Sequence, residues 1–188
     1  MPEKKQDARV RYTKMVIRSS LLELLRTKPI AKITVTEICE RAGINRATFY
    51  AHYSDPSDLL HALESEVIED VTRWVKPALT AVGSDLKDVL TRLLEYVGEN
   101  ADICSLLLSD KGDNSFQSKV VKVIEGQFMS SWAAARQLSQ EEAEYLYTFI
   151  ALGSVGLIRK WLAEGAKKPA SEIAELIIKI SNAGYYGI

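Results

Sequence analysis

A chain of 188 residues that is 47% hydrophobic and 26% charged, with only 10 Gly and 5 Pro, is built for a real core; disorder, collagen-like repeats and a large multi-domain enzyme are excluded. No run approaches the roughly 18 uninterrupted apolar residues of a membrane span, and Met1 to Lys5 leads into charge rather than a secretory apolar stretch, so a soluble, cytoplasmic chain with no membrane partner is expected. The net charge of −1 hides a division: residues 1–60 hold 11 Lys+Arg against 7 Asp+Glu, residues 61–188 hold 13 against 18, and a basic head able to meet a polyanion precedes an acidic body.

The periodicity is helical almost throughout, with no sustained alternation of strand type, which predicts an all-α protein. A first helix is expected from about Asp7 to Arg26, with Val16, Ile17, Ser20, Leu21, Leu24 and Leu25 buried and Arg9, Arg11, Lys14 and Arg18 toward solvent; Lys28-Pro29 ends it. Thr34-Val35-Thr36-Glu37 is a capping box that opens a second helix, which buries Ile38, Cys39 and Ala42 and stops at Gly43. Asn45 is an N-cap for a third helix of about two turns, Arg46 to Tyr53.

Two short helices joined by the three residues Gly43, Ile44 and Asn45 form a helix-turn-helix, whose second member can lie in a DNA major groove. The side-chain chemistry there matches such a role. Arg46 can pair with a guanine edge, Ala47 and Thr48 can meet a thymine methyl, and Tyr50 and His52 can hydrogen-bond phosphates.

The run ITVTEICERAGINRATFYAHYSDPSDLL, Ile33 to Leu60, resembles the recognition region of the tetracycline-repressor (TetR) family of bacterial transcription regulators, and with the first helix the resemblance spans residues 9–63. It implies a DNA-facing set of Thr34, Thr36, Asn45, Arg46, Ala47, Thr48, Tyr50 and His52. Cys39, Asn45 and Ala47 replace the family's usual Ala, Ser and Gly with residues of similar size. Pro56 stands where the family favours a Lys that touches phosphate, so that contact is not carried over.

Asp55-Pro56-Ser57-Asp58 opens a fourth helix reaching about Val75, with Asp55 as N-cap and its first turns expected to pack on the head. Domains are expected at 1–60, the DNA-binding head, and 61–188, an effector-binding and dimerisation body. In the body, Ser84 should cap a helix to Gly98, Asp102 to Ser109 a short one, and a turn at Asp110-Asp113 should precede a long helix from Ser115 to Gln137. Ser139 should cap an eighth helix to Ala163, and Ser171 should open a last one through Ile180. The sum is about nine helices.

The eighth helix shows two apolar stripes, Tyr145, Phe149, Leu152, Gly156 and Leu146, Ile150, Gly153, Leu157, Trp161, which call for burial on two sides, one against the body and one against a second copy. The family resemblance likewise implies a four-helix dimer interface. The expected contact set is Phe149, Gly153, Gly156, Leu157 and Trp161 with Ile173 and Ile177 of the last helix. The C-terminal run FIALGSVGLIRKWLAEGAKKPASEIAELI is similar to the end of the subgroup of the dihydroxyacetone-kinase operon coactivator.

Tyr96, Cys104, Phe128, Met129, Trp132 and Tyr145 could line an effector cavity or form plain core, so no ligand residue is assigned. The two cysteines, with neither CxxC spacing nor a His cluster, read as inert small hydrophobes; no catalytic constellation, metal site or cofactor motif is visible, and no enzyme is expected. The resemblance therefore implies a homodimeric, sequence-specific DNA-binding regulator, a repressor on a palindromic double-stranded operator, released by a small-molecule effector. The alternative is a coactivator or regulator controlled by a partner protein.

Overall fold

The computed structural model describes residues 2–80, 85–109, 116–122 and 139–186. Among them the regular elements are all helical: α1 Pro2–Leu25, a 3-10 turn Ile30–Lys32, α2 Val35–Ala42, α3 Arg46–Tyr50, α4 Pro56–Thr80, α5 Leu86–Glu99, α6 Ala101–Leu107, α7 over 116–122, α8 Gln140–Ala163 and α9 Ala170–Tyr186. The expected all-α architecture is the observed one.

Two compact units divide the chain. The first comprises residues through Val67; the second comprises Ile68–Leu108 with the helices that follow. In the first, α1 packs on α2 and α2 on α3, and Ile17, Leu21, Leu25, Ile38, Phe49, Leu59 and Leu60 are buried together. Across this core Arg18, expected toward solvent, instead pairs with Glu66 of α4 at 2.5 Å. In the second, α5 packs on α9, α8 on α9 and α6 on α8 around Leu94, Leu107, Ala143, Trp161 and Ala174.

Several boundaries differ from expectation for local reasons. α1 begins at Pro2 rather than Asp7, since a proline in the first turn lacks only an N–H that the helix does not use. α3 ends at Tyr50, not Tyr53: the amides of His52 and Tyr53 both return to the Phe49 carbonyl, at 2.9 and 3.0 Å, and the tightened turn tucks the buried Tyr53 ring against Phe49 with centroids 6.0 Å apart. Asp85 caps α5, its carboxylate accepting from the Lys87 amide at 2.9 Å; Ser84, the expected cap, lies outside the described residues. The expected turn at 110–113 and helix positions 123–137 lie outside them too. α9 starts directly after Pro169 and runs six residues beyond Ile180.

α8 holds the largest correction. Its body-facing side is a third stripe, Ala143, Tyr147, Val155 and Leu162, anchored where the Tyr147 hydroxyl donates to the Val121 carbonyl of α7 at 2.7 Å. The stripe Tyr145, Phe149, Leu152 and Gly156 faces outward, Tyr145 being 72% and Phe149 70% exposed. Over 18 residues α8 reaches a mean hydropathy of 1.2, so by length and composition alone it could cross a membrane, yet only 22% of that window is buried within the chain.

Trp161 belongs to the interior. Its indole N–H donates to the Lys168 carbonyl at 2.9 Å and its ring lies over Gly98 of α5. The turn it braces is a Schellman motif: Gly165 at φ +79° closes it, with the amide of Ala166 bonded to the Trp161 carbonyl and that of Gly165 to the Leu162 carbonyl. A Cβ on Gly98 would sit 3.0 Å from Trp161 Cη2. Gly98→Ala should therefore destabilise, by about 1–3 kcal/mol, although alanine favours helix. Trp161→Phe in the same chain should recover part of that loss, so denaturant melts of the two single variants and the double variant should be non-additive. Additive losses would mean that the ring does not press on Gly98.

Candidate nucleic-acid interface

The interface is assembled from caps. Thr34 adopts extended backbone, its hydroxyl accepts from the Glu37 amide at 3.3 Å, and the Glu37 carboxylate accepts from the Thr34 amide at 3.0 Å, which completes the box and aims α2. Lys28 pairs with the other oxygen of Glu37. The side-chain bond from Lys28, followed by those from Thr34, holds the Glu37 carboxyl down at about 2, well below its ordinary 4.5.

α2 ends on Gly43 at φ +66°, with the Ile44 amide bonded to the Cys39 carbonyl at 3.0 Å and the Gly43 amide to the Glu40 carbonyl at 3.4 Å. This is a second Schellman motif, and it compresses the helix-to-helix turn to three residues. Asn45 then caps α3: its Oδ1 accepts from the Thr48 amide at 2.7 Å and from the Thr48 hydroxyl at 2.9 Å. The anchor beneath is Phe49, fully buried, with Tyr50 edge-on to it at 5.7 Å.

These constraints decide where each expected DNA-facing residue lies. Asn45, Arg46, Ala47 and Tyr50 are exposed on the outer side of α3, Tyr50 by 56%. Thr48 is half-buried and its hydroxyl belongs to the cap, leaving the methyl as its outward chemistry. Thr34 is exposed at the start of α2, and Thr36 is half-buried two residues on, in the first turn, where its hydroxyl accepts from Arg46 Nη2 at 2.6 Å. His52 lies past the end of α3, half-buried, its ring 6.3 Å from that of Tyr53. The eight residues thus occupy one short stretch around the α2 start and α3. Two features were missed by sequence reasoning: the Lys28–Glu37 pair, nine residues apart, and the Thr36–Arg46 bond, ten apart, since neither follows a helical period.

The residues expected between subunits separate into two groups. Phe149, Gly153 and Gly156 are exposed and Leu157 is half-buried, and among the described residues, apart from the helix's own adjacent backbone, no atom lies within 4 Å of a Cβ placed on either glycine. Phe149, Gly153 and Leu157 line an open apolar groove of about 210 Å³ with Ile177 and Ile180 of α9. Trp161, 4% exposed, and Ile173 are instead buried inside the subunit.

Of the residues left open between cavity and core, Tyr96 donates its hydroxyl to Asp70 at 3.1 Å, Cys104 is buried and its thiol pushed up to about 12 by that burial, and Tyr145 points outward. Phe128, Met129 and Trp132 lie outside the described residues.

Residues 17–63 match the profile of bacterial regulatory proteins of the tetR family, and residues 84–183 match a transcriptional regulator C-terminal region of the same family group. The HTH-type transcriptional regulator YxbF of Bacillus subtilis (strain 168) is 25% identical over 191 residues, covering 99% of this chain and 49% of that protein, so the chain spans about half the length of this curated relative. A TetR transcriptional regulator from Streptococcus agalactiae 2603V has TM-score 0.67 at 21% identity, with 95% of this chain and 98% of that one covered. The dihydroxyacetone kinase operon activator DhaS has TM-score 0.52 at 19% identity, with 93% and 96% covered. At these identities the solved structures establish a common fold.

The depressed Glu37 carboxyl has a consequence for acid stability. Its folded value lies below the unfolded one, so the stabilisation it brings is complete above the ordinary value of 4.5 and is lost as pH falls toward about 2. Glu37→Gln keeps a cap acceptor but cannot titrate. Urea midpoints should be lower than wild type at pH 7 and fall less between pH 5 and 2; parallel acid profiles of the two chains would remove Glu37 as the cause.

Proposed function

Because the chain belongs to the tetR family of bacterial regulatory proteins, we propose that it is a sequence-specific DNA-binding transcriptional regulator acting as a homodimeric repressor. The observation that carries this reading is the outer side of α3, where a rigidly capped helix of five residues presents Arg46, Ala47 and Tyr50 together. Arg46 reads a guanine O6/N7 edge and Ala47 meets a thymine methyl; Tyr50, His52, Thr34 and the amide of Asn45 bond phosphates, and the Thr48 methyl borders the bases. The head comprises residues 1–60 and the dimerisation and effector-binding body residues 61–188.

Two copies associate through the outward side of α8 and the groove it shares with α9, with Phe149, Gly153, Gly156 and Leu157 in contact and Ile177 at the groove floor. The bare Gly153 and Gly156 support this: each costs about 1 kcal/mol in a helix interior and nothing among the described residues crowds either, whereas a closely approaching partner helix would give a reason for both. An isologous pair presents two equivalent recognition helices, which suits a palindromic operator in double-stranded DNA. The repressor blocks a promoter and is released when a small-molecule effector taken up by the body changes the spacing of the two heads. The protein works in the cytoplasm, without a membrane or a cofactor, and carries out no catalysis.

Duplexes selected from a random pool by the full chain provide the test. Arg46→Ala should cost about 1–3 kcal/mol on a selected duplex and relax preference at one base pair per half-site. Tyr50→Phe should weaken selected and scrambled duplexes alike. Gly156→Arg should lower dimer and DNA affinity together, because an unpaired charge is costly to bury. A Gly156→Arg chain that sediments as a dimer at micromolar concentration and keeps its duplex affinity would place the interface elsewhere.

A further inference from the structure

Arginine is the side chain in the candidate interface with the most freedom and the most donors: a long stem ends in a planar fork of five N–H groups. In this structure one edge of the fork is engaged. Arg46, the first residue of α3, gives one Nη2 proton to the hydroxyl of Thr36 in the first turn of α2, at 2.6 Å. Its stem therefore folds back over the start of α2, close enough for its charge to oppose the rise that burial imposes on the Cys39 thiol. Both backbones are themselves fixed, α2 by the Thr34–Glu37 box and α3 by the Asn45 cap, with the three-residue turn at Gly43 between them. The bond thus joins two rigid elements across the helix-turn-helix.

We propose that Thr36 is a specificity-positioning residue, whose hydroxyl holds the Arg46 guanidinium in the orientation that presents its remaining N–H pair to a base edge. The inference rests on the DNA-binding reading above and deepens it. A threonine hydroxyl suits this role because it accepts and donates at once: the lone pair engaged by Arg46 leaves its own proton for a phosphate oxygen, so base reading and backbone register are set by one group. The β-branched side chain restricts χ1, which keeps the acceptor where the guanidinium meets it. Holding one edge of the fork leaves a parallel N–H pair for two base acceptors, and a bidentate contact loses most when its donor wanders.

The experiment compares full-length wild type, Thr36→Val, Thr36→Ser, Arg46→Ala and the Thr36→Val/Arg46→Ala double variant on a duplex selected from a random pool by wild type and on a scrambled duplex, with circular dichroism melts to establish folding. Valine keeps the shape and removes the hydroxyl; serine restores it. The expected result is a ratio of selected to scrambled affinity about tenfold lower in Thr36→Val, largely recovered in Thr36→Ser, and no further loss when Thr36→Val is added to Arg46→Ala. Equal weakening on both duplexes in Thr36→Val would make Thr36 a phosphate contact only and overturn the inference. So would an unchanged ratio in Thr36→Val where Arg46→Ala loses it, while leaving the DNA-binding reading intact. If wild type selects no duplex, the reading itself falls, and the inference with it.

Discussion

One residue in the left-handed region organises the head. At Gly43, φ +66°, α2 stops within a single residue, and the chain reverses closely enough for Asn45 to cap α3 two residues later. A side chain there would meet no neighbour, so the requirement lies wholly in the backbone. From that turn follow the bond of the Ile44 amide to the Cys39 carbonyl, the buried position of Phe49 and the outward aim of Arg46, Ala47 and Tyr50. Lengthening the turn would rotate α3 and move all three together.

The stabilising interactions of the two units are of different kinds. In the first, the short helices α2 and α3 are held by caps and by a compact apolar core, and its exposed ion pairs, such as Arg41–Glu23 at 2.5 Å, add little. In the second, α8 is held by aromatic anchors whose polar ends are satisfied, Tyr147 on Val121 and Trp161 on Lys168. Among the described residues the outward aromatic residues of α8, Tyr145 and Phe149, have no such anchor and are 72% and 70% exposed.

What could be read from sequence divides along the range of the interaction. Thr34–Glu37, Asn45, Asp55 and Ser139–Glu142 act over two or three residues, so their caps were legible and are found. The neighbouring Ser84 and Asp85 are both good caps, and nothing local chooses between them. α8 misled for a physical reason: it carries apolar residues on most of its circumference, and the side that packs inward uses Ala143 and Tyr147, weaker hydrophobic signals than the Phe149 and Leu152 left outside. Thr36 and Arg46 meet only because the turn at Gly43 brings them together, and a contact made by tertiary geometry leaves no period to find. Of the site, then, the residue types and their order were legible, but not which polar atoms are already engaged.

The turn at Gly43 also gives one sulfur a guarded position. Cys39 is the residue whose carbonyl receives the Ile44 amide, and its side chain is buried beside that joint. Burial raises its thiol above the ordinary range, against the pull of the Arg46 charge, and raises that of Cys104 to about 12. Peroxides and electrophiles attack thiolates. Both sulfurs are thus kept protonated and covered, Cys39 within the recognition turn and Cys104 within the second unit.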